Sequence, residues 1–262
     1  MYAVSPAASA AWRRLIQWVA REAGADMNVI DHAYPAPLEE LWAREDMGCV
    51  FMCGLPYAAR SPRPRVIAAP VPSPARYGDR PIYFTDFIVR ADSPHRSLED
   101  TFDGRFAYTL ETSHSGYNAA RYHLLAYRTP GRVRLYAEVV GPFITPRHVL
   151  QALLDGLADV APLDSYALDL MRRHSRDLIP AIRVVASTAA APIPPLVASP
   201  GIPAETCAHL TSALLAAHRA PELSGVLNTL LLSGFSPVQP ADYAVLVERA
   251  RAAEEAGYSR IA

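Results

Sequence analysis

The chain has 262 residues, 51% hydrophobic and 19% charged, enough apolar surface for one or two compact units and too much for a disordered chain. Its formal net charge is -1 and its 25 basic residues, all arginine, are scattered along the chain, so the electrostatic footprint of a nucleic-acid binder is missing. Three cysteines give no disulfide framework, and no apolar run reaches the ~20 residues of a membrane-spanning helix.

In chain order, residues 11–23 put Trp12, Leu15, Ile16, Val19 and Ala20 on one helical face, with Gly24 as the stop. Residues 27–31 read as a short strand, 36–46 as a helix, and 48–54 and 65–71 as strands. Cys49 and Cys53 share the strand at 48–54. Four strand residues span ~13 Å, too far for a bridge, and no ligand-spaced His or Cys accompanies them, so burial is expected. The aromatic and β-branched run 81–90 is the next strand, followed by a strand at 105–110 and a helix opened by "ETSHSGYNAARYHLL" (111–125). A strand at 133–141, a helix at 147–156, a strand at 158–164 and a helix at 165–175 continue the alternation. Extended segments at 182–188 and 193–199 and helices at 204–218, 221–233 and 240–256 complete the chain.

The alternation predicts an α/β protein with mainly parallel sheets flanked by helices. A central α/β block lies between two flanking segments. We therefore expect two lobes, 1–80 with 190–262 and 81–189, joined by two hinge crossings around a small-ligand cleft.

The segment from Ser113 to Tyr117 raises the question of a nucleophile. An α/β-hydrolase elbow needs glycines two residues before and two after its serine, and neither flanks Ser115. His114 is its sequence neighbour, and adjacent helical side chains diverge, whereas a base must reach the hydroxyl at ~3 Å. A catalytic role is therefore not expected. The first turn of a helix does leave N–H groups unpaired at a partly positive end. Ser113 and Ser115 add hydroxyls there, and Gly116 permits close approach. Such a turn cradles an anion, or its serines simply cap the helix; the residues alone leave both open. Asp164, followed by Ser165, stands at the carboxyl end of a strand and opens a helix, a place where α/β sheets gather ligands. It is either a cap or an acceptor for a ligand's donor. Tyr57 in "GLPYA" holds a similar place after strand 48–54, Tyr83 lies on the crossing strand, and Arg147 and His148 open another helix. No metal or cofactor is expected.

In order and spacing, "GLPYA" (54–58), "PIYFTDFIVRADSPHRSLED" (81–100), "ETSHSGYNAARYHL" (111–124) and "ADVAPLDSYALDLM" (158–171) resemble the phosphate/phosphite/phosphonate substrate-binding proteins of ABC transporters. The resemblance covers nearly the whole chain. It implies a type II periplasmic-binding fold that captures a small anion in the interlobe cleft by hinge closure and delivers it to a membrane permease, with no chemistry on the ligand. The ligand would be a phosphonate- or phosphate-like oxyanion or an organic acid. By this resemblance Ser113, His114 and Ser115 match the family's Ser-Thr-Ser cradle, continued by Gly116 and Tyr117. Asp164, with Ser165, matches the pocket carboxylate, and Tyr57 the first-lobe aromatic. Two departures stand out: His114 replaces the smaller Thr, and "FITPRHV" (143–149) stands where a Gly-Ser-His element is usual. The resemblance also implies a monomer in the periplasm or otherwise outside the cytoplasm. The family's first strand would be ending at Tyr2, so the resemblance implies a start further upstream, which would hide any leader. Two alternatives remain. One is an enzyme on the same fold, akin to the thiamine pyrimidine-precursor synthases, which want a Cys/His-rich segment where this chain offers Cys49 and Cys53. The other is a ligand sensor for a membrane partner.

Overall fold

The computed structural model describes residues 2–32, 37–175 and 180–262. In chain order the elements are α1 (Pro6–Glu22), α2 (Leu38–Ala43), β1 (Cys49–Phe51), α3 (Gly54–Ala59), β2 (Val66–Pro72), β3 (Ile82–Tyr83), β4 (Thr85–Arg90) and β5 (Arg105–Ala107). After a π turn at His114–Asn118 come α4 (Ala119–Leu124), β6 (Glu138–Val140), α5 (Pro146–Leu154), β7 (Ala161–Asp164), α6 (Ser165–His174), β8 (Ile182–Ser187) and β9 (Ala191–Pro192). The last are β10 (Leu196–Ala198), α7 (Ala204–Ala216), α8 (Ser224–Thr229), β11 (Leu232–Ser236) and α9 (Ala244–Glu255). None of the helices among the described residues is long and apolar enough to cross a membrane.

Two compact units result: Met1–Ile82 with Pro192–Tyr243, and Tyr83–Ala191 with Ala244–Ala262. In the first, α1 starts where Ser5 accepts a hydrogen bond from the Ala8 N–H and Pro6 opens the first turn. It buries Trp12, Leu15, Trp18 and Val19. The sheet runs β1–β10–β2–β11. The strand expected at 27–31 is absent. Arg13 of α1 donates to the Val29 carbonyl at 3.0 Å and pairs with Asp31 at 2.8 Å, so a helix side chain, not a neighbouring strand, meets this segment. The helix expected over 36–46 is α2; residue 36 lies outside the described residues. "GLPYA", after β1, forms α3.

The second unit holds a β7–β4–β8 sheet and a β5–β6 pair. Phe87, Phe106, Leu124, Leu135, Tyr136 and Val160 form its core, joined by Tyr258 and Ile261 from the C-terminal segment. Each such side chain removed from water contributes ~1.5–3 kcal/mol.

Three expectations need correction. The sheets are not mainly parallel: the β1–β10, β10–β2, β2–β11, β4–β7 and β4–β8 pairs are antiparallel, whereas the β5–β6 pair runs parallel. The reason lies in the returning strands. β1 and β2 do run the same way, but β10 lies between them, and β4 separates the co-directional β7 and β8. The helix expected over 221–233 ends at Thr229, and Leu232–Ser236 becomes strand β11 beside β2. Its apolar "LLL" run fits either state, and Leu231 turns the chain with φ 52°. Finally, residues 244–262 were expected in the first lobe and pack in the second unit. The Leu135 N–H donates to the Ala262 carbonyl at 2.7 Å, and the Ile261 N–H donates to the Tyr117 hydroxyl at 3.1 Å. The chain therefore passes between units after Ile82, Ala191 and Tyr243, three times where two crossings were expected.

Candidate functional site

Two helix starts meet in the second unit. The first is the π turn His114–Asn118, which runs into α4. Ser113 enters it with extended backbone, and its Oγ accepts from the Gly116 N–H at 3.0 Å. The Ser113 carbonyl accepts from the Asn118 N–H at 3.1 Å and from Asn118 Nδ2 at 2.9 Å, while Nδ2 also donates to the Glu111 carbonyl at 2.7 Å. One asparagine thus folds the preceding loop onto the turn. Gly116 is obligatory for packing: a Cβ there would collide with Thr109 Oγ1 and come within 2.9 Å of Thr109 Cβ and 3.0 Å of Ser113 Oγ.

The second start is Asp164, which ends β7 and whose Oδ1 accepts from the Ala167 N–H at 2.9 Å to open α6. Ser165 locks this junction to the entrance of β4: its N–H donates to the Phe84 carbonyl at 3.0 Å, and its Oγ accepts from the Phe84 N–H at 2.9 Å. The expected strand 81–90 is interrupted at that residue. Thr85 joins the two starts. It faces Asp164 in the β4–β7 register, and its Oγ1 donates to the Ser115 carbonyl at 3.1 Å.

This geometry separates readings that the residues alone left open. Ser113 and Asp164 are caps, and the Ser113 hydroxyl can still donate while it accepts. Ser115 is not a cap: among the described residues its hydroxyl takes part in no hydrogen bond.

His114 lies between the two serines, 1% exposed, its ring centre 6.1 Å from that of Tyr83. Burial, with a smaller push from the Arg249 cation, lowers its pKa from 6.5 to about 3. The imidazole is therefore neutral wherever the protein works and adds no charge to an anion site. A pH dependence follows. Below about pH 6.5 the unfolded chain takes up a proton that the folded chain refuses until about pH 3, so stability falls with pH across that window. Between pH 7 and 5 the wild type should lose about 2 kcal/mol more than His114→Asn in urea denaturation, from roughly 1.4 kcal/mol per pH unit. Equal losses would show that the ring is not held neutral.

Tyr83 is buried beside His114, at the head of the unit. Tyr117, expected near the ligand, turns into the core against Tyr108, ring centres 5.1 Å apart, and its hydroxyl accepts from the Ile261 N–H. Tyr57 belongs to the first unit. It is 0% exposed in α3, edge-on to Tyr243 at 5.1 Å, and its hydroxyl is buried with no hydrogen-bond partner among the described residues. Burial raises its pKa. Arg147 and His148 are exposed at the start of α5, where Thr145 Oγ1 accepts from the His148 N–H at 3.2 Å. None of the cysteines is in a disulfide, and burial pushes the Cys49 thiol up to about 11.

Sequence reading missed what anchors the π turn. Arg121, 3% exposed, donates to Asn118 Oδ1 at 3.0 Å, the Ser259 carbonyl at 2.7 Å and the Ala250 carbonyl at 3.1 Å. The Asn-x-x-Arg spacing puts the two side chains on one helical face, a local signal that was there to read. The carbonyl partners lie far along the chain and left none.

Two α/β units threaded by repeated passages of one chain, with helix starts at strand ends, define a type II periplasmic-binding fold. Solved structures support this class. A binding protein component of an ABC phosphonate transporter from Pseudomonas aeruginosa superposes with TM-score 0.78 at 15% identity, over 95% of this chain and 82% of that one. PhnD1 of Prochlorococcus marinus, solved with methylphosphonate, gives 0.72 at 15% identity over 94% and 92%. A Xanthomonas citri protein solved with ATP gives 0.62 at 20% identity over 95% and 94%. At such identities these show the fold alone. No curated protein matches the chain. The family model described as "ABC transporter, phosphonate, periplasmic substrate-binding protein" matches residues 3–243, and the chain belongs to that family. Its members are binding proteins, so the role is solute binding and the enzyme alternative is not favoured. Membership brings a small ligand, a membrane permease as partner and an extracytoplasmic location.

Proposed function

We propose that this protein captures a small oxyanion, a phosphonate or a close analogue, on the π turn at His114–Asn118, and delivers it as a monomer in the periplasm to its permease. Ser115 carries the reading. Its hydroxyl stands in the first turn of a helical segment with no protein partner among the described residues, where unpaired N–H groups and the helix end favour an anion. Ser113 donates its own hydroxyl hydrogen while it caps Gly116. Asp164, tied to Ser115 through Thr85, accepts from a protonated oxygen, hydroxyl or amine of the ligand and so discriminates against anions without a donor. Ser165 holds Asp164 in place. Tyr83 borders the turn, and His114 adds bulk and a neutral ring where the family has Thr. Tyr57 is the first unit's candidate by the family pattern. Tyr117 supports the turn from the core.

Methylphosphonate, phosphite, phosphate and an aromatic carboxylate form the test panel. A phosphonate or phosphite should raise the melting temperature, and Ser115→Ala should weaken the best binder by about 1.5–3 kcal/mol, a roughly 10- to 150-fold rise in Kd. No shift with any oxyanion would refute the assignment, and unchanged affinity in Ser115→Ala would remove Ser115 from it.

A further inference from the structure

Beyond the last residue that the family model matches, α9 brings Arg249 into the second unit. Arg249 Nη1 donates to the Ala190 carbonyl at 3.1 Å, and its Cζ lies 5.8 Å from the centre of the Tyr122 ring. Among the described residues no carboxylate stands within ion-pair distance of it. A guanidinium has five N–H donors, and half-buried, it is left here with one carbonyl and one ring edge or face for company. The same side chain lines a cavity of about 290 Å³ with Ala119, Tyr122, His123, Ala126 and Thr188, close to the lower end of small-molecule sites.

The remaining wall sets the chemistry of an occupant. His123 Nε2 is buried and has no hydrogen-bond partner among the described residues. Burial lowers the pKa of that ring, so it adds no second cation to the wall. Thr188 is already engaged, accepting from the Thr85 N–H at 3.1 Å and donating to the Ala189 carbonyl at 3.0 Å. Everything else facing the cavity is alanine, leucine or the Tyr122 ring, which is 38% exposed. One unpaired cation in a mainly apolar wall suits a single negative charge on an apolar body. A phosphoryl dianion would find one counter-charge and few donors.

We propose that this cavity is a second ligand site, separate from the oxyanion turn, for a small monocarboxylate whose carboxylate pairs with Arg249 and whose apolar body lies against Tyr122 and Ala126. Ser113 and Ser115 take no part in its lining. The two sites are nonetheless linked: Arg249 acts electrostatically on His114, and Thr188 reaches the Ser115 carbonyl through Thr85.

Benzoate is the probe, titrated calorimetrically into the wild type, Arg249→Gln, Arg249→Lys and Ser115→Ala, with circular dichroism to confirm folding. One benzoate should bind the wild type and Ser115→Ala with similar affinity. Binding should weaken by at least about tenfold in Arg249→Gln, the loss of a charge-assisted pair, and by less in Arg249→Lys, which keeps the charge. Absence of benzoate binding to the folded wild type at millimolar concentration overturns the proposal. So does equal affinity in Arg249→Gln, or loss in Ser115→Ala alone, which would put benzoate on the oxyanion turn. None of these outcomes depends on whether phosphonates bind.

Discussion

Arg121→Met should lower the stability of the folded chain by about 1.5–3 kcal/mol, the scale of losing hydrogen bonds made by a charged donor. Methionine fills the stem's volume but donates nothing. The carbonyls of Ser259 and Ala250 and the Asn118 Oδ1 would then lose their shared donor. Glu254, 3.6 Å from the guanidinium and 62% exposed on its side chain, adds little, because solvent screens such a pair. The loss should therefore come from the hydrogen bonds and persist in high salt. Urea denaturation measures it, and amide exchange should quicken first in residues 250–262 and in the π turn. A loss below about 1 kcal/mol, or one that salt abolishes, would mean that the C-terminal segment is not pinned through Arg121.

Gly116→Ala should abolish oxyanion binding and cost about 1–3 kcal/mol of stability, as overpacking does in a filled site. The added methyl would overlap Thr109 Oγ1 and press on Thr109 Cβ and Ser113 Oγ. A β-branched side chain cannot swing clear cheaply, so the turn itself must shift, and with it the Ser115 hydroxyl. Combining Gly116→Ala with Thr109→Ala removes the oxygen at the clash and should restore part of the stability. A double variant no more stable than the single one would show that Thr109 is not what demands the glycine.

Much of this was legible in the chain. Ser5 and Pro6 ahead of an apolar stripe announce α1, and "RVIAAPV" forms β2 almost as read. Both helix starts of the site were found because Ser113 and Asp164 are good caps next to periodic apolar residues. What failed was non-local. Strand direction depends on which strand lies beside which, and β10 between β1 and β2 leaves no mark on any of the three segments. The "LLL" run before Gly234 carries too little periodicity to separate the end of α8 from β11. Tyr117 looked like a ligand contact because it follows the glycine of the motif, yet its partner is the Ile261 N–H, far along the chain. The division of labour between Ser113 and Ser115 needed coordinates: both precede a helix, and only the bond from the Gly116 N–H shows which one caps.

The most direct test is a crystal structure of the protein grown with methylphosphonate. Phosphonate oxygens should lie within about 3 Å of the Ser115 hydroxyl and the first-turn N–H groups of the π turn, with a protonated oxygen against Asp164. A phosphonate bound elsewhere, with the Ser115 hydroxyl and Asp164 both unengaged by it, would contradict this placement.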